Sequence, residues 1–193
     1  MSMFQNSLRS AVAAFESLAG LEPDLLRAAA LVRACLLGGG KLLVAGNGGS
    51  AADAMDFSTE FTCRYSGDRR PYPAINLAAD GTLLTAIGND YRFEEVFARQ
   101  VWAFGKPGDV LVVYSTSGKS PDILRALDEA KARGLESIAF LGRDGGPAAG
   151  RASVDLIVPG NVTARIQEAH KFLGHCICEQ VDGDLTRGET PST

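Results

Sequence analysis

The sequence lacks the features that mark membrane, secreted and nucleic-acid-binding proteins. No apolar run reaches the length of a membrane-spanning helix, and the first residues lack the charged-then-apolar order of a signal peptide. The formal net charge of −4 provides no basic excess with which to hold a nucleic acid. These absences predict a cytoplasmic protein that binds neither membranes nor nucleic acids.

Cysteine and histidine are also scarce. The chain has four cysteines, at Cys35, Cys63, Cys176 and Cys178. Their spacing is not that of a paired metal motif, so we predict that they are small buried apolar residues. The two histidines, His170 and His175, lie five residues apart in a helical pattern and should point to different sides of a helix. A histidine in such a pattern is more often a core residue than a ligand.

The length and the apolar content fit one domain with a sizeable core. The chain has 193 residues, of which 46% are hydrophobic and 22% are charged. We predict a single domain over residues 1–193. Within it we expect N-terminal helices in residues 1–38, an α/β core with a closing helix in 41–185, and a tail in 187–193.

Residues 41–52 are the stretch around which the chain is organised. An apolar run stops abruptly at residues 46–49, Gly-Asn-Gly-Gly, and helix-forming residues begin after Ser50. This pattern predicts a buried strand, a tight glycine turn and a helix capped by Ser50. Glycines let the backbone approach a ligand, and a helix N-terminus offers unpaired N–H groups to anionic or oxygen-rich groups. A tight connection without a ligand is the alternative.

A second copy of this pattern begins with a strand at residues 109–114. It continues into residues 115–120, which carry four hydroxyl groups, and into a helix that begins at Pro121. Hydroxyl and N–H groups at a helix start can cradle a phosphate, although a serine-rich capped turn is the alternative. Two such units place a ligand site at the carboxyl ends of parallel strands.

The remaining pattern alternates strands with helices. Further strands are expected at residues 72–78, 136–141 and 155–158, and helices at 51–63, 81–87, 93–104, 121–133 and 163–184. A loop is expected at residues 88–91. The order predicts an α/β fold with a five-stranded parallel sheet covered by helices on both faces. An apolar stripe on the first helix, Phe4, Leu8, Val12, Phe15 and Leu18, needs either a partner subunit or its own domain to cover it.

An acidic pair follows the glycine turn. Asp56 and Glu60 lie four residues apart, and therefore on one face of the predicted helix. Their neighbours are apolar, and two like charges so close are costly unless a cation or a proton intervenes. A solvated pair is the alternative.

Taken together, these segments resemble the sugar isomerase (SIS) family and, within it, the phosphoheptose isomerases. The resemblance is carried by residues 46–50, Glu60 with Arg64 and Tyr65, residues 84–90, residues 115–120, residues 165–168 with His170, and His175. It extends from the first helix to about Leu185. It implies an SIS-type three-layer sandwich with extra N-terminal helices, assembled as a homotetramer with active sites shared between subunits.

The family's reaction interconverts sedoheptulose 7-phosphate and D-glycero-D-manno-heptose 7-phosphate through an enediolate, an early step toward the heptose of bacterial surface glycans such as lipopolysaccharide. The resemblance implies Glu60 and His175 as the acid/base pair. It implies that the substrate is bound by Asn47, Gly48, Gly49, Ser50, Arg64, Asn89, Asp90, Ser115, Thr116, Ser117, Ser120 and Gln167.

Zinc-binding members of the family imply a metal site at Asp56, Glu60, Gln167 and His175. At the first of these positions the family usually has histidine, whereas this chain has aspartate. Aspartate can ligate zinc, but it is shorter and adds negative charge. The site is then weaker, altered in metal preference or metal-free unless the helix lies closer to the ion, and a related sugar phosphate could be the substrate.

Two alternatives to the isomerase remain. Relatives with this fold bind the bacterial replication initiator without catalysis, and others serve as sugar-phosphate-sensing regulatory domains. Glu60 and His175 favour the enzyme, because a pure scaffold has no need of an acid/base pair.

Overall fold

The structure, a computed structural model, describes residues 1–187. Its helices are α1 Met3–Glu16, α2 Glu22–Leu37, α3 Gly49–Thr62, α4 Gly81–Asp90, α5 Ala98–Phe104, α6 Pro121–Ala132 and α7 Thr163–Arg187. Its strands are β1 Leu42–Gly46, β2 Ala74–Asn76, β3 Val110–Ser115, β4 Glu136–Gly142 and β5 Val154–Val158. Short 3-10 turns occupy Ser17–Leu21, Phe93–Glu95 and Gly146–Ala148.

The five strands form one parallel sheet in the order β2-β1-β3-β4-β5. Every residue of β1 and β3 is buried, as expected for inner strands of a sheet covered on both faces. The predicted α/β class and the five-stranded parallel sheet are confirmed.

Alternate residues of each inner strand feed two separate apolar cores. In β1, Leu42 and Val44 face one core, which α2, α3 and α7 complete. Leu43 and Ala45 face the other, which α4, α5 and α6 complete. This alternation follows from the two-residue period of a strand and gives a three-layer sandwich.

The chain leaves β1 toward β2 on one side and returns to β3 on the other. Residues of β1 pair with those of β3 along their whole length, from Leu42 beside Val110 to Gly46 beside Tyr114. The loops after these two strands therefore emerge side by side at the point where the strand order reverses, which is where open α/β sheets bind ligands.

Several local predictions are corrected. Ser50 does not cap α3: the helix begins at Gly49, Gly48 precedes it with φ +56°, and Ser50 is buried in the first turn. The predicted loop at 88–91 is mostly helix, because α4 continues to Asp90. The predicted helix at 93–104 is divided into a 3-10 turn and α5.

The predictions for the C-terminal tail and for the cysteines are also corrected in part. Arg187, predicted to lie in the tail, belongs to α7, and residues 188–193 lie outside the described part of the chain. Cys35 and Cys178 are buried as predicted, but Cys176 is only partly buried and Cys63, just after α3, is exposed, so the prediction is wrong for these two. Within residues 1–187, no helix is both long and apolar enough to cross a membrane.

Candidate active site

Side chains of α3 and α7 meet in a small cluster of titratable groups. Ligand atoms of Asp56, Glu60 and His175 all lie within 4.8 Å of one another. Nε2 of His175 is 3.2 Å from Oδ2 of Asp56, and Nζ of Lys171 is 3.2 Å from Oδ1 of the same carboxylate. We call Asp56, Glu60 and His175 the carboxylate–histidine cluster.

Burial and neighbouring charge set the protonation of this region. Burial, and then the negative charge of Asp56, raise the pKa of Glu60, while the charges of His175 and Lys171 oppose that rise. Burial also raises the pKa of Asp53, one turn earlier on α3, to about 6. Oδ2 of Asp53 is buried and has no hydrogen-bond partner within residues 1–187. A carboxyl group with a raised pKa beside a histidine is typical of acid/base sites.

The glycine turn lies against α7. A Cβ atom on Gly49 would lie 2.3 Å from Nε2 of Gln167, so the amide packs directly against the backbone of the turn and would have to move if residue 49 carried a side chain. Asn47 donates from Nδ2 to Oδ2 of Asp122, at 2.8 Å, and thereby joins the turn to the start of α6. The turn thus connects the cluster on α3 and α7 to the loop after β3.

Two hydroxyl groups of the loop at residues 115–120 stabilise the loop itself. Oγ of Ser115 accepts from the N–H of Gly118 at 3.1 Å, and Oγ of Ser117 accepts from the N–H of Lys119 at 3.2 Å. Ser120 precedes α6 without a side-chain capping bond. The capped-turn interpretation therefore accounts for Ser115 and Ser117, whereas Thr116 and Ser120 stay available to a ligand at a partly exposed position.

Other predicted substrate-binding residues make their hydrogen bonds outside the cluster. Arg64 donates to the carbonyl of Ser66 at 2.9 Å, within its own loop. Asn89 and Asp90 are exposed at the end of α4, where the amide of Asn89 donates to Asp90 at 2.9 Å. Within residues 1–187, no hydrogen bond joins these three side chains to the cluster or to the 115–120 loop. Their part in substrate binding stays a prediction.

The two histidines have different environments, as their spacing predicts. His170 is fully buried, and its Nε2–H donates to the carbonyl of Leu141 at 3.0 Å. Its ring meets those of Tyr114 and Phe140 edge-on. Burial lowers the pKa of His170 to about 4, so it is a neutral core residue. His175 alone of the two joins the cluster.

Three residues in this region were not predicted from the sequence: Lys171, Asp53 and Asp122. Lys171 had a usable signal, because Gln167, Lys171 and His175 recur every four residues and so share one face of α7. Asp53 similarly precedes Asp56 by three residues. Asp122 had no such signal, since its partner Asn47 lies 75 residues away.

A cluster of titratable groups beside a glycine turn and a hydroxyl-rich loop, on a parallel α/β sheet, is the arrangement expected of the class of α/β sugar-phosphate isomerases. Residues 4–142 match the family described as SIS domain. The chain is 44% identical over 185 residues to a phosphoheptose isomerase of Shewanella baltica, covering 94% of this chain and 92% of that one. The chain therefore belongs to the SIS domain family and, within it, to the phosphoheptose isomerases, which are aldose–ketose isomerases.

Solved structures agree with this assignment. A phosphoheptose isomerase from Francisella tularensis superposes with a TM-score of 0.89 at 37% identity, covering 93% of this chain and 96% of that one. The phosphoheptose isomerase from Neisseria gonorrhoeae superposes with a TM-score of 0.88 at 41% identity, covering 93% and 97%. The SIS fold is confirmed, and the protein is a sugar-phosphate isomerase.

Proposed function

We propose that the protein interconverts sedoheptulose 7-phosphate and D-glycero-D-manno-heptose 7-phosphate, and so supplies heptose for bacterial surface glycans. The observation that carries this proposal is the convergence of Glu60 and His175, which have their ligand atoms within 4.8 Å of each other on facing helices. The names of its 44% identical relatives support a phosphorylated heptose as substrate.

The reaction moves a carbonyl group between C2 of the ketose and C1 of the aldose. Glu60 suits the base that takes a proton from C1 and returns it to C2, because burial raises its pKa above that of an exposed carboxyl group. His175 suits proton transfer between the oxygens on C1 and C2, since an imidazole has one nitrogen that can donate a proton and one that can accept it. The enediolate between these steps needs hydrogen-bond donors near its oxygens.

The substrate's phosphate is assigned to the loop at residues 115–120. Hydroxyl groups of Thr116 and Ser120, with N–H groups at the start of α6, would hold the anion without an arginine clamp. The hydroxyl of Ser117 already accepts a bond within the loop, but its O–H can still donate to the phosphate. Replacing Ser117 and Ser120 by alanine together should raise the dissociation constant of the sugar phosphate at least about tenfold. Thr186→Ala, near the end of α7, is the matched control, and unchanged affinity in the double variant would make the loop only a turn.

We further propose that Asp56, Glu60, Gln167 and His175 hold a divalent ion, with zinc the expected metal. The first, second and fourth of these residues lie close enough to share one ion, and carboxylate, amide and imidazole groups are suitable donors. A bound ion would supply a Lewis acid for the sugar oxygens. Glu60 is then both a ligand and a base, two roles that compete for the same carboxylate.

The metal proposal is tested separately from turnover. Asp56→His should tighten zinc binding, because imidazole nitrogen is a better zinc ligand than a carboxylate in an already acidic site. Isothermal titration of metal-free protein measures this affinity. Full activity after exhaustive chelation, with no metal found by elemental analysis, would exclude the metal role.

A homotetramer with shared active sites completes the proposal. The outer stripe of α1 exposes Phe4 by 73%, Leu8 by 52%, Val12 by 49% and Phe15 by 39%. This much exposed apolar surface on one helix is typical of a subunit interface.

Nuclear magnetic resonance of the purified protein mixed with sedoheptulose 7-phosphate tests the proposed reaction. Signals of the aldose phosphate should appear with the wild-type chain and be nearly absent with Glu60→Gln. Related ketose phosphates in the same assay measure the substrate preference. Tight binding of the sugar phosphate without conversion would instead indicate a noncatalytic SIS protein.

A further inference from the structure

The side chain of Lys171 lies inside the face of α7 that carries the predicted metal ligands. Gln167 and His175 flank it at a distance of four residues on each side, so all three project toward α3 on one face of the helix. Asp56 and Glu60 occupy the facing side of α3 with the same spacing. A lysine therefore stands between two predicted ligands and opposite two others.

The carboxylate of Asp56 is engaged at both oxygens. Oδ1 is 3.2 Å from Nζ of Lys171, and Oδ2 is 3.2 Å from Nε2 of His175. Among the described residues, Lys171 is the lysine or arginine that pairs with Asp56. Arg69, another cation near this region, instead pairs with Asp182 and donates to the backbone carbonyl of Glu60.

An ammonium group in this position opposes a divalent cation in two ways. It neutralises part of the charge that would attract the ion, and it repels an ion bound to the same carboxylate. The side chain of Lys171 is 48% exposed, so it can leave Asp56 for solvent without disturbing the core. A divalent ion that binds at Asp56 would therefore replace the ammonium group of Lys171, because the carboxylate is already paired with a positive charge.

We propose that Lys171 is a positioning residue that acts as a built-in cation of the carboxylate–histidine cluster. It balances Asp56 when no metal ion is bound, and a divalent ion binds only in competition with it. This inference rests on the proposed function for the identity of the metal ligands. It goes beyond that function by assigning weak, exchangeable metal binding to one residue outside the ligand set.

Metal affinity of the full chain tests the proposal directly. Metal-free wild type, Lys171→Met and Lys171→Arg are titrated with Zn²⁺ and with Mn²⁺ at fixed pH and moderate salt. Methionine keeps much of the length of the side chain and removes the charge, so Lys171→Met should bind Zn²⁺ about tenfold tighter or more. Lys171→Arg keeps the charge and should bind as the wild type does. Lys131→Met, which removes an exposed lysine from α6, is the matched control and should also bind as the wild type does.

A double variant locates the effect. In an Asp56→Asn background, Lys171→Met should no longer tighten Zn²⁺ binding, because the carboxylate for which lysine and ion compete is gone. Equal affinity of Lys171→Met and wild type, or no Zn²⁺ binding by either, would overturn the proposal. The proposal would also be overturned if Lys171→Arg bound Zn²⁺ more tightly than the wild type, or if Lys171→Met still increased Zn²⁺ affinity in the Asp56→Asn background.

Turnover of sedoheptulose 7-phosphate is measured on the same samples and judged separately. Lys171-dependent metal affinity in a protein that does not convert the sugar would reject the proposed reaction and leave the inference standing. Isomerase activity with a metal affinity that does not depend on Lys171 would reject this inference and leave the proposed reaction standing.

Discussion

Glu60 and Asp56 show how position along one helix turn gives two carboxylates different environments. Asp56 is held between Lys171 and His175, with a polar atom of each at 3.2 Å. Within residues 1–187 no ion pair forms at the carboxylate of Glu60, and burial and the charge of Asp56 raise its pKa. A carboxyl group with a raised pKa beside a carboxylate already paired with a lysine and a histidine can combine a base with an orienting group.

At this scale the acid/base assignment makes the first prediction. Glu60→Gln and His175→Ala should each lower the turnover number at least about a hundredfold, the usual cost of a lost acid or base. Glutamine keeps the shape of the side chain, so thermal stability should hardly change. Steady-state kinetics with a sugar phosphate substrate measures the loss, and activity retained in Glu60→Gln would refute the proposed chemistry.

His170 makes the second prediction, a pH dependence of stability. Its pKa is about 4 in the folded chain and 6.5 when unperturbed, so between these values the unfolded chain binds a proton that the folded chain does not. Its contribution to stability is complete above pH 6.5 and is lost as the pH falls toward 4. The slope approaches about 1.4 kcal/mol per pH unit within that window.

Denaturant unfolding at a series of pH values between 4 and 7.5 checks this dependence. His170→Phe keeps an aromatic ring beside Tyr114 and Phe140 and removes the titrating group. It should lose less stability than the wild type on acidification, whatever the loss of the hydrogen bond to Leu141 costs at neutral pH. Parallel losses in the two proteins would show that other groups govern the acid sensitivity.

At the scale of elements, the loop after β3 is fixed by close backbone contact with the loop after β4. Gly118 has φ +59°, and a Cβ atom there would lie 1.8 Å from the carbonyl oxygen of Gly145. Gly142 is similarly tight, with the carbonyl oxygen of Thr116 2.4 Å from its Cβ position. The hydroxyl groups of the 115–120 loop are therefore positioned by backbone packing as well as by their own hydrogen bonds.

Gly118→Ala makes the third prediction. The new methyl group forces the two loops apart and requires a left-handed backbone, which costs about 1–3 kcal/mol for the backbone alone. The Michaelis constant for the sugar phosphate should rise at least about tenfold if the loop holds the phosphate. Gly150→Ala is the matched control, because Gly150 also has a positive φ, +77°, but has no atom within 4 Å of its Cβ position. Equal behaviour of the two variants would contradict a role for the loop contact.

At the scale of the whole molecule, α1 is a helix whose apolar side chains are poorly covered by the rest of the chain. It has no buried residue of its own, and Phe15 is the residue of its stripe that packs inward, with its ring tilted against that of Phe172 on α7 and 5.2 Å between the ring centroids. Leu18, at the end of the predicted stripe, is buried in the 3-10 turn that follows. The stripe is thus covered at one end only.

The fourth prediction concerns assembly. Replacing Phe4 and Leu8 together by glutamate should convert the proposed tetramer to smaller species, because charges would be buried in an apolar contact. Activity should fall with it if active sites are shared between subunits. Asn6→Glu, on the opposite side of the exposed helix, is the control. Light scattering measures the mass, and a wild-type monomer at micromolar concentration would remove this prediction.

Local patterns were sufficient to predict most of the fold. The inner strands β1 and β3 are apolar runs, and the helix after each begins beyond a glycine or serine turn, so the strand–helix order could be read from short segments. Parallel pairing then follows from the alternation itself. Errors fell at element ends: Ser50 is a good capping residue by type, but Gly48, with its positive φ, lets α3 begin at Gly49, two residues before the predicted start.

The candidate site was predictable only in part. Spacing along one helix placed Asp56 beside Glu60 and separated His170 from His175, because such distances depend on helix geometry alone. The resemblance to the family supplied the pairing of Glu60 with His175 across two helices, which no local pattern contains.

The tertiary structure decided which groups neutralise one another. The pairing of Lys171 with Asp56, the contact of Gln167 with Gly49 and the bond between Asn47 and Asp122 each join distant parts of the chain. The burial of His170 likewise depends on Leu141 and on rings from two strands. Charge balance and desolvation arise from neighbours in space, so they follow from packing and not from sequence spacing.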